Sequence, residues 1–375
     1  MQRREFLRLG TGTALAAGAA RFYPWSGGVS DDFSVGPAYS VVPVVGDGKW
    51  IWNEPPKDAT GYLEPRSYTL KIGIELEGLG AGSEIMASTP VPVAHAEQKI
   101  DDVKIETQGC EAASRETAPG AGQLFLSAAN IAAKQVVSAF AYYKLTLFKQ
   151  YQAYERDQFP AKQEPPRDVR DAALQDSPGI QTNSPAVKKL ADELSQGCTH
   201  PWDKAKAFAE WVPKNIKPFL GPYTSVLTAL ETKRGDCEEM SAVFIALCRA
   251  VGIPSRVVWV PNHNWAEFFL TDDKGKGHWI PAHTACYHWF GWTGAHELVL
   301  QKGDRIRVPE QHRTFRLLED WLHCTGRKPK ARYLAELVPQ PASEGADAGP
   351  GARRKEADGE WKVFGDHPLD RYARR

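Results

Sequence analysis

The stretch RGDCEEMSAVFIALCRAVGIPSRVV, residues 234–258, decides how the rest of the chain is interpreted. Asp236 is a good helix N-cap, and Glu239, three residues later, completes an aspartate version of the capping box. Apolar residues follow at helical spacing, at Met240, Val243, Phe244, Leu247 and Val251. Gly252 and Pro254 then end the helix ahead of a β-rich run. The pattern predicts a buried helix followed by a strand.

Cys237 is the first residue of this predicted helix. The positive end of the helix dipole and the free backbone N–H groups favour a thiolate at that position. The same N–H groups can stabilise an oxyanion that develops beside the sulfur. A cysteine in a buried helix is also commonly a small core residue. Position alone therefore leaves a nucleophile and a packing residue as open interpretations.

A nucleophilic cysteine needs a base, and His263 begins the second strand after the helix. Residues 265–270 and 278–283 predict a hairpin whose turn centres near Asp273. That register brings positions 263 and 283 opposite each other within about two residues. A side chain at His283 would then contact the His263 ring and orient it, as the third member of a triad does.

These motifs resemble the transglutaminase-like superfamily of papain-like thiol enzymes. The resemblance rests on the GDCEE helix start, the GIPSRVV strand, the HNWAE strand and the WIP segment, together with the helices before them, and covers roughly residues 184–290. It implies an α+β papain-like catalytic domain in which Cys237 is the nucleophile and His263 the general base. The β-rich region before it is similar to the N-terminal domain of many bacterial members.

One position departs from the family pattern, in which an aspartate stands where this chain has His283. A neutral imidazole can orient the base but adds no negative charge, so the imidazolium would be less stabilised. Three interpretations follow: His283 orients the base, the domain is weakened and used for binding, or Glu267 or Asp272 supplies the carboxylate. The side-chain oxyanion donor is equally open, since Tyr223 or Trp211 fits that role but also fits the core.

The N-terminus carries the marks of an export signal. Arg3 and Arg4 precede Phe6 and Leu7, and an apolar, small-residue run with A-x-A order follows. Residues 1–30 therefore resemble a twin-arginine signal peptide. We expect an exported protein, periplasmic or extracellular, with no integral membrane segment after the signal is removed.

Composition shifts divide the rest of the chain. Residues 36–165 contain alternating runs at 67–76 and 137–148 and predict an antiparallel β-sandwich domain. Prolines at 160, 165 and 166 indicate a linker. The transglutaminase-like domain is predicted over 166–338, and the charged, Pro/Ala/Gly-rich segment 339–375 predicts a disordered tail.

Charge and cysteine usage narrow the classes of function. Lys+Arg and Asp+Glu are both 46, so no overall positive field favours nucleic acid or an anionic membrane. The six cysteines include no CxxC pair, and Cys198, Cys286 and Cys324 are candidates for disulfide pairing in an oxidising compartment.

A metal site is the rival interpretation of the histidine-rich hairpin. His278, His283, Cys286 and His288 lie close together in sequence, and zinc prefers such ligands. Their spacing matches no familiar structural zinc site, and the aromatic run at 287–292 favours a loop beside a cleft. We therefore expect no metal and no cofactor.

The leading hypothesis is an exported cysteine enzyme that acts on amide bonds through a Cys-His thioester mechanism. Peptide or amide hydrolysis is favoured over cross-linking, because many bacterial relatives resemble peptidases, and the expected partner is a protein or peptide substrate. The alternative is a weakened transglutaminase-like domain that binds a peptide or glycan without turnover.

Overall fold

The computed structural model describes residues 39–40, 57, 59–80, 82–152, 154–219, 221–261, 263–285, 289–294, 297–340, 353–355 and 361–363. The predicted signal at 1–30 lies outside these residues, as do Cys286 and His288 of the metal alternative. Within the described residues, no helix combines the length and apolar character needed to cross a bilayer.

The described residues form nineteen strands and five α-helices. The strands are β1 Tyr39–Ser40, β2 Ala59–Glu77, β3 Gly82–Val91, β4 Gln98–Gln108, β5 Glu111–Ala118, β6 Ala121–Ala129, β7 Val136–Tyr151, β8 Lys217–Pro218, β9 Arg234–Gly235, β10 Ser255–Val260, β11 His263–Thr271, β12 Gly277–Ala282, β13 Gln301–Lys302, β14 Ile306–Val308, β15 Arg313–Phe315, β16 Trp321–Gly326, β17 Lys330–Pro339, β18 Arg353–Lys355 and β19 Trp361–Val363. The helices are α1 Arg167–Ala173, α2 Pro185–Leu194, α3 Pro201–Asn215, α4 Val226–Thr232 and α5 Cys237–Ala250, with 3-10 turns at Arg156–Gln158 and Pro309–Gln311.

Two large antiparallel sheets account for the β-rich region. In the first sheet β2 pairs with β7 and β17, and β7 also pairs with β4. In the second, β6 pairs with β3 and β5, and β3 pairs with β16. Both sheets contribute to one apolar core, in which Leu70 and Ile74 of β2 pack with Leu124 and Leu126 of β6. This confirms the predicted β-rich domain of sandwich type.

The second apolar core forms around α5, which packs against β10 and β11. Phe244 and Leu247 of α5 are fully buried together with Phe208 of α3 and Phe268 of β11. The helix begins at Cys237 and ends at Ala250, as the apolar spacing and the Asp236 cap predict. The hairpin β11–β12 is also confirmed, with Thr271 paired to Gly277 across its turn. Helices on one face of an antiparallel sheet give this part of the chain its α+β class.

The two regions are joined by a continuous sheet. β13 pairs with β10 on one side and with β6 on the other, through Gln301 and Ala121. The strands β12, β11 and β10 therefore extend the second sheet of the sandwich.

The chain after residue 320 differs from the prediction that 166–338 form one domain. β16 pairs with β3 and β17 pairs along most of β2, so residues 321–339 return to the sandwich sheets. Leu337 of β17 lies in the sandwich core, and Tyr333 and Ala335, on the same face of the strand, pack against it. Local pattern predicts a strand but not the sheet it joins, because the partner lies far away in sequence: Thr325 of β16 meets Glu84 across 241 positions, and Lys330 of β17 meets Glu77 across 253.

Two short segments within 339–375, the predicted disordered tail, pair as strands. Arg353–Lys355 pairs with Trp361–Val363, and its first two residues pair with Thr60 and Ala59 of β2. The first two residues of β2 lie beyond its pairing with β7, so their backbone groups are available to another segment. Because such edge pairing uses backbone groups, the composition of the partner segment does not predict it.

Candidate active site

Helix α5 holds Cys237 at its first position by a dense set of hydrogen bonds. The Asp236 carboxylate accepts from the Glu238 amide at 2.8 Å, and the Glu239 carboxylate accepts from the Asp236 amide at 3.0 Å. Glu239 also accepts from the Thr224 amide at 2.8 Å, which ties the helix start to the segment before α4. The predicted capping box is present, and it fixes the sulfur at the positive end of the helix dipole.

Three carboxyl groups flank this thiol, and nearby negative charge opposes a thiolate. Burial, together with the Glu239 and Glu238 carboxylates, raises the pKa of Asp236 to about 7, so Asp236 is partly protonated near neutrality. The Glu238 carboxylate pairs with the Arg316 guanidinium at 3.1 Å. The Arg316 guanidinium lies 3.5 Å from the centre of the Tyr223 ring, over its face. The negative charge beside Cys237 is therefore largely compensated.

His263 is the first residue of β11, and its Nε2 atom is buried. Burial lowers the pKa of His263 to about 4, so the ring is neutral at neutral pH. A neutral imidazole can accept the proton of a thiol, which is the property that a general base requires.

His283 lies directly after β12 and is 2 % exposed. Its ring centre is 4.9 Å from that of His263, which agrees with the contact predicted from the hairpin register. Trp265 stacks on His283 at 5.3 Å, and Trp289 meets it edge-on at 5.3 Å. The His283 amide also donates to the Trp289 carbonyl at 2.7 Å. The tryptophans and this backbone bond fix the position of the His283 ring against His263.

The two carboxylates considered as substitutes for the missing aspartate are engaged elsewhere. Glu267 pairs with Arg256 at 2.8 Å and with Lys302 at 2.7 Å. Burial alone would raise the pKa of Glu267, but the Lys302 and Arg256 cations hold it below its ordinary value. Asp272 accepts from His278 at 2.8 Å, near the hairpin turn. This geometry leaves His283 as the group that faces the base.

The two aromatic candidates for the oxyanion donor are also committed to other contacts. The Tyr223 hydroxyl donates to the Gly179 carbonyl at 2.8 Å. The Lys233 ammonium lies 5.1 Å from the centre of the Trp211 ring. Both aromatic rings also pack against the core around α5, which is the core interpretation that the sequence left open.

The metal interpretation receives no support from the described histidines. His278 contacts Phe159 and Tyr154, whereas His283 contacts Trp265 and Trp289. The two rings lie on opposite faces of the hairpin, as the alternation of strand side chains requires. No group of three or more His, Cys, Asp or Glu suited to a metal occurs among the residues that the structure describes.

Sequence reasoning missed two side chains at this site. The Asn264 amide nitrogen lies 3.8 Å from the sulfur of Cys237. Strand alternation could have indicated it, because residue 264 must point toward α5 if 266 and 268 are core positions. Arg316 carries no such signal, since it lies far along the chain from Glu238.

A family model, that of the transglutaminase-like superfamily, matches residues 188–284. This segment is similar to the transglutaminase-like superfamily. It contains α5, β10 and the hairpin β11–β12. The predicted resemblance is therefore confirmed, together with the α+β fold. The sandwich strands lie outside the matched residues.

One curated relative matches part of this chain at low identity. An uncharacterized protein of Haemophilus influenzae is 31 % identical over 123 residues, which cover 30 % of this chain and 33 % of that protein. The chain thus spans about a third of the length of this relative.

Two solved structures are similar to parts of this chain at low sequence identity. A chain from Cytophaga hutchinsonii described as a "putative cysteine protease" is 16 % identical, with a TM-score of 0.48 over 74 % of this chain and 99 % of its own. A chain from Parabacteroides distasonis described as a "putative protease" is 14 % identical, with a TM-score of 0.24 over 56 % of this chain and 42 % of its own. Likeness at this level supports no statement about activity.

Proposed function

We propose that this chain is an exported cysteine enzyme that hydrolyses amide or peptide bonds, with Cys237 as nucleophile and His263 as general base. The observation that carries the proposal is the capped start of α5, whose Cys237 sulfur lies 3.8 Å from Nδ2 of Asn264, the residue after His263. The ring centre of His283 lies 4.9 Å from that of His263. The match of residues 188–284 to the family model supports this assignment.

The proposed reaction begins with both partners uncharged. The neutral ring of His263 takes the proton of the Cys237 thiol as the sulfur attacks the amide carbonyl carbon. The oxyanion of the tetrahedral intermediate forms at the positive end of the α5 dipole, which stabilises its negative charge. The carbon–nitrogen bond then breaks, and His263 passes its proton to the departing amine.

The product of this first stage is a thioester on Cys237. Water then attacks the thioester carbonyl, gives one proton to His263 and releases the acid, and the proton returns to the sulfur. An amine in place of water would give transfer instead. His283 orients the His263 ring throughout, without contributing a negative charge.

The first test measures the alkylation rate of each cysteine by iodoacetamide at pH 6, with mass spectrometry of the peptides. We expect Cys237 to react fastest, and His263→Ala to slow it at least about tenfold because the base is lost. His323→Ala, at an exposed strand position, is the matched control. His283→Ala should lower the rate, whereas His283→Asp should retain or raise it.

Slow labelling of Cys237 that His263→Ala leaves unchanged would contradict the catalytic proposal and favour a binding module. That alternative is motivated by His283, which stands where the family has a carboxylate. Equal rates for all three residues at position 283 would show that His283 does not orient the base. With a reactive thiol established, a peptide-library profile with a Cys237→Ala control identifies the substrate, and free acid or amine adduct separates hydrolysis from transfer.

A further inference from the structure

Asn264 occupies a position that the mechanism above does not use. It is the second residue of β11 and pairs with Trp259 of β10. Ala266 and Phe268, its neighbours on the same face of the strand, belong to the core that surrounds α5. Asn264 therefore faces the helix at the end of the strand where α5 begins, and it interrupts an otherwise apolar face.

The two ends of the Asn264 carboxamide have different surroundings. The nitrogen Nδ2 lies 3.8 Å from the Cys237 sulfur. Asn264 is only 2 % exposed. Its oxygen Oδ1 is buried and accepts no hydrogen bond from any residue that the structure describes. A buried carbonyl without a donor is costly, and native structures contain few of them.

A purely structural role does not account for this arrangement. A leucine has the same number of side-chain heavy atoms as asparagine, branched at the same atom, and would suit these apolar surroundings without an unsatisfied oxygen. When the sulfur is a thiolate, only the donor end of the amide can face it, which leaves Oδ1 available to an incoming N–H group.

We propose that Asn264 is a positioning residue of the thiol site, which donates Nδ2–H to the Cys237 thiolate and presents Oδ1 to an amide N–H of the substrate. The first half concerns the ionisation of Cys237 alone. The second half rests on the proposed function and assigns an amide-bearing acyl compound as the ligand class.

The first arm of the test follows alkylation of Cys237 by iodoacetamide from pH 4 to pH 9 and determines the midpoint of the profile. Loss of the donor in Asn264→Leu or Asn264→Ala should raise the midpoint by at least about half a pH unit. Asn264→Asp should raise it further, because a carboxylate replaces the donor. The matched control Asn183→Ala removes an exposed asparagine that bonds Asp176, and should leave the midpoint unchanged.

The second arm compares iodoacetamide with methyl iodoacetate, which carries no N–H, at a pH above the midpoint. Asn264→Leu should slow iodoacetamide about threefold or more relative to methyl iodoacetate, since an amide–carbonyl hydrogen bond contributes about 1 kcal/mol. Any change in the nucleophilicity of the sulfur acts on both reagents and cancels in the ratio. Cys248, fully buried in α5, stays unlabelled as long as each variant is folded.

A midpoint that is the same in wild type, Asn264→Leu and Asn264→Ala would overturn the donor role, and an unchanged reagent ratio would overturn the acceptor role. If the alanine variant does not fold, the leucine variant, which keeps the branching of the side chain, decides both. These outcomes are separate from failure of the proposed function, which shows as slow labelling of Cys237 in the wild type or as indifference to His263→Ala.

Discussion

The two ends of helix α5 are built for different purposes. At the carboxyl end, the fully buried Arg249 side chain pairs with Asp304 at 2.8 Å and donates to the Ser255 and Gln175 carbonyls. At the amino end, a thiol is surrounded by carboxyl groups whose charge is adjusted by burial and by Arg316. The Arg249 cation thus lies at the negative end of the helix dipole and donates to several partners. We call Arg249 and Asp304 the carboxyl-end clamp, because they fasten this end of α5 to the segments around it. The amino end instead contains a carboxyl group, Asp236, whose pKa is raised to about 7 and which therefore titrates near neutral pH.

The largest expected effect comes from opening the carboxyl-end clamp. Asp304→Ala leaves the buried Arg249 cation without its partner and should lower the free energy of unfolding by about 3–5 kcal/mol. Urea unfolding at pH 7 measures it. Glu193→Ala, which removes an exposed partner of Lys189 on α2, is the control and should cost less than about 0.5 kcal/mol. Equal costs for the two variants would show that the clamp does not stabilise the fold, and an altered alkylation midpoint of Cys237 would show that the two ends are not independent.

The second effect is a pH dependence at the amino end. The pKa of His263 falls from 6.5 to about 4 on folding, so the unfolded chain binds a proton at pH values where the folded one does not. Stability from neutral His263 is therefore complete above pH 6.5 and decreases as the pH falls toward 4. His263→Leu should gain about 3 kcal/mol relative to wild type between pH 7 and pH 4.

Urea unfolding of both proteins at pH 7, 5.5 and 4 measures this difference. Asp236 titrates with the opposite sign, because its pKa is raised and its protonated form is stabilised as the pH falls below 7. Its contribution is common to both proteins and cancels in the comparison. A difference that stays constant from pH 7 to pH 4 would contradict the lowered pKa of His263.

The smallest effect is expected at Arg316. Arg316→Met removes the cation that compensates Glu238 and should raise the alkylation midpoint of Cys237 by about half to one pH unit, because the nearby carboxylate then opposes the thiolate. Arg316→Lys, which keeps the charge, should restore most of the shift. Identical midpoints for wild type and the methionine variant would mean that Glu238 exerts no field on the sulfur.

Much of the site was predictable because its signals are local. The Asp236 cap, the apolar face of α5 and the hairpin register all follow from residues within a few positions of each other, and they place Cys237, His263 and His283 at one end of the sheet. Asn264 was within reach of the same reasoning, since alternation along β11 turns it toward α5. Asn264 was missed because it lies inside the HNWAE segment, which was used only to locate His263.

Other features depend on contacts that no local pattern encodes. Arg316 meets Glu238 across 78 positions, and Glu267 finds Lys302 across 35. The return of β16 and β17 to the sandwich is of the same kind, because a strand pattern fixes which face is apolar but not which edge it completes. The assignment of residues 321–339 failed for this reason.

The continuous sheet sets the size of the unit that folds. Lys302, on the strand that bridges the two regions, is 4 % exposed and pairs with Glu267 of the hairpin and with Glu97 before β4. The Gln98 carboxamide also exchanges two hydrogen bonds with the backbone of Val299. The matched segment 188–284 contains Glu267 but neither Lys302 nor β13, the strand that joins β10 to β6. The segment that the family model matches is thus smaller than the network of strands and ion pairs that holds its hairpin in place.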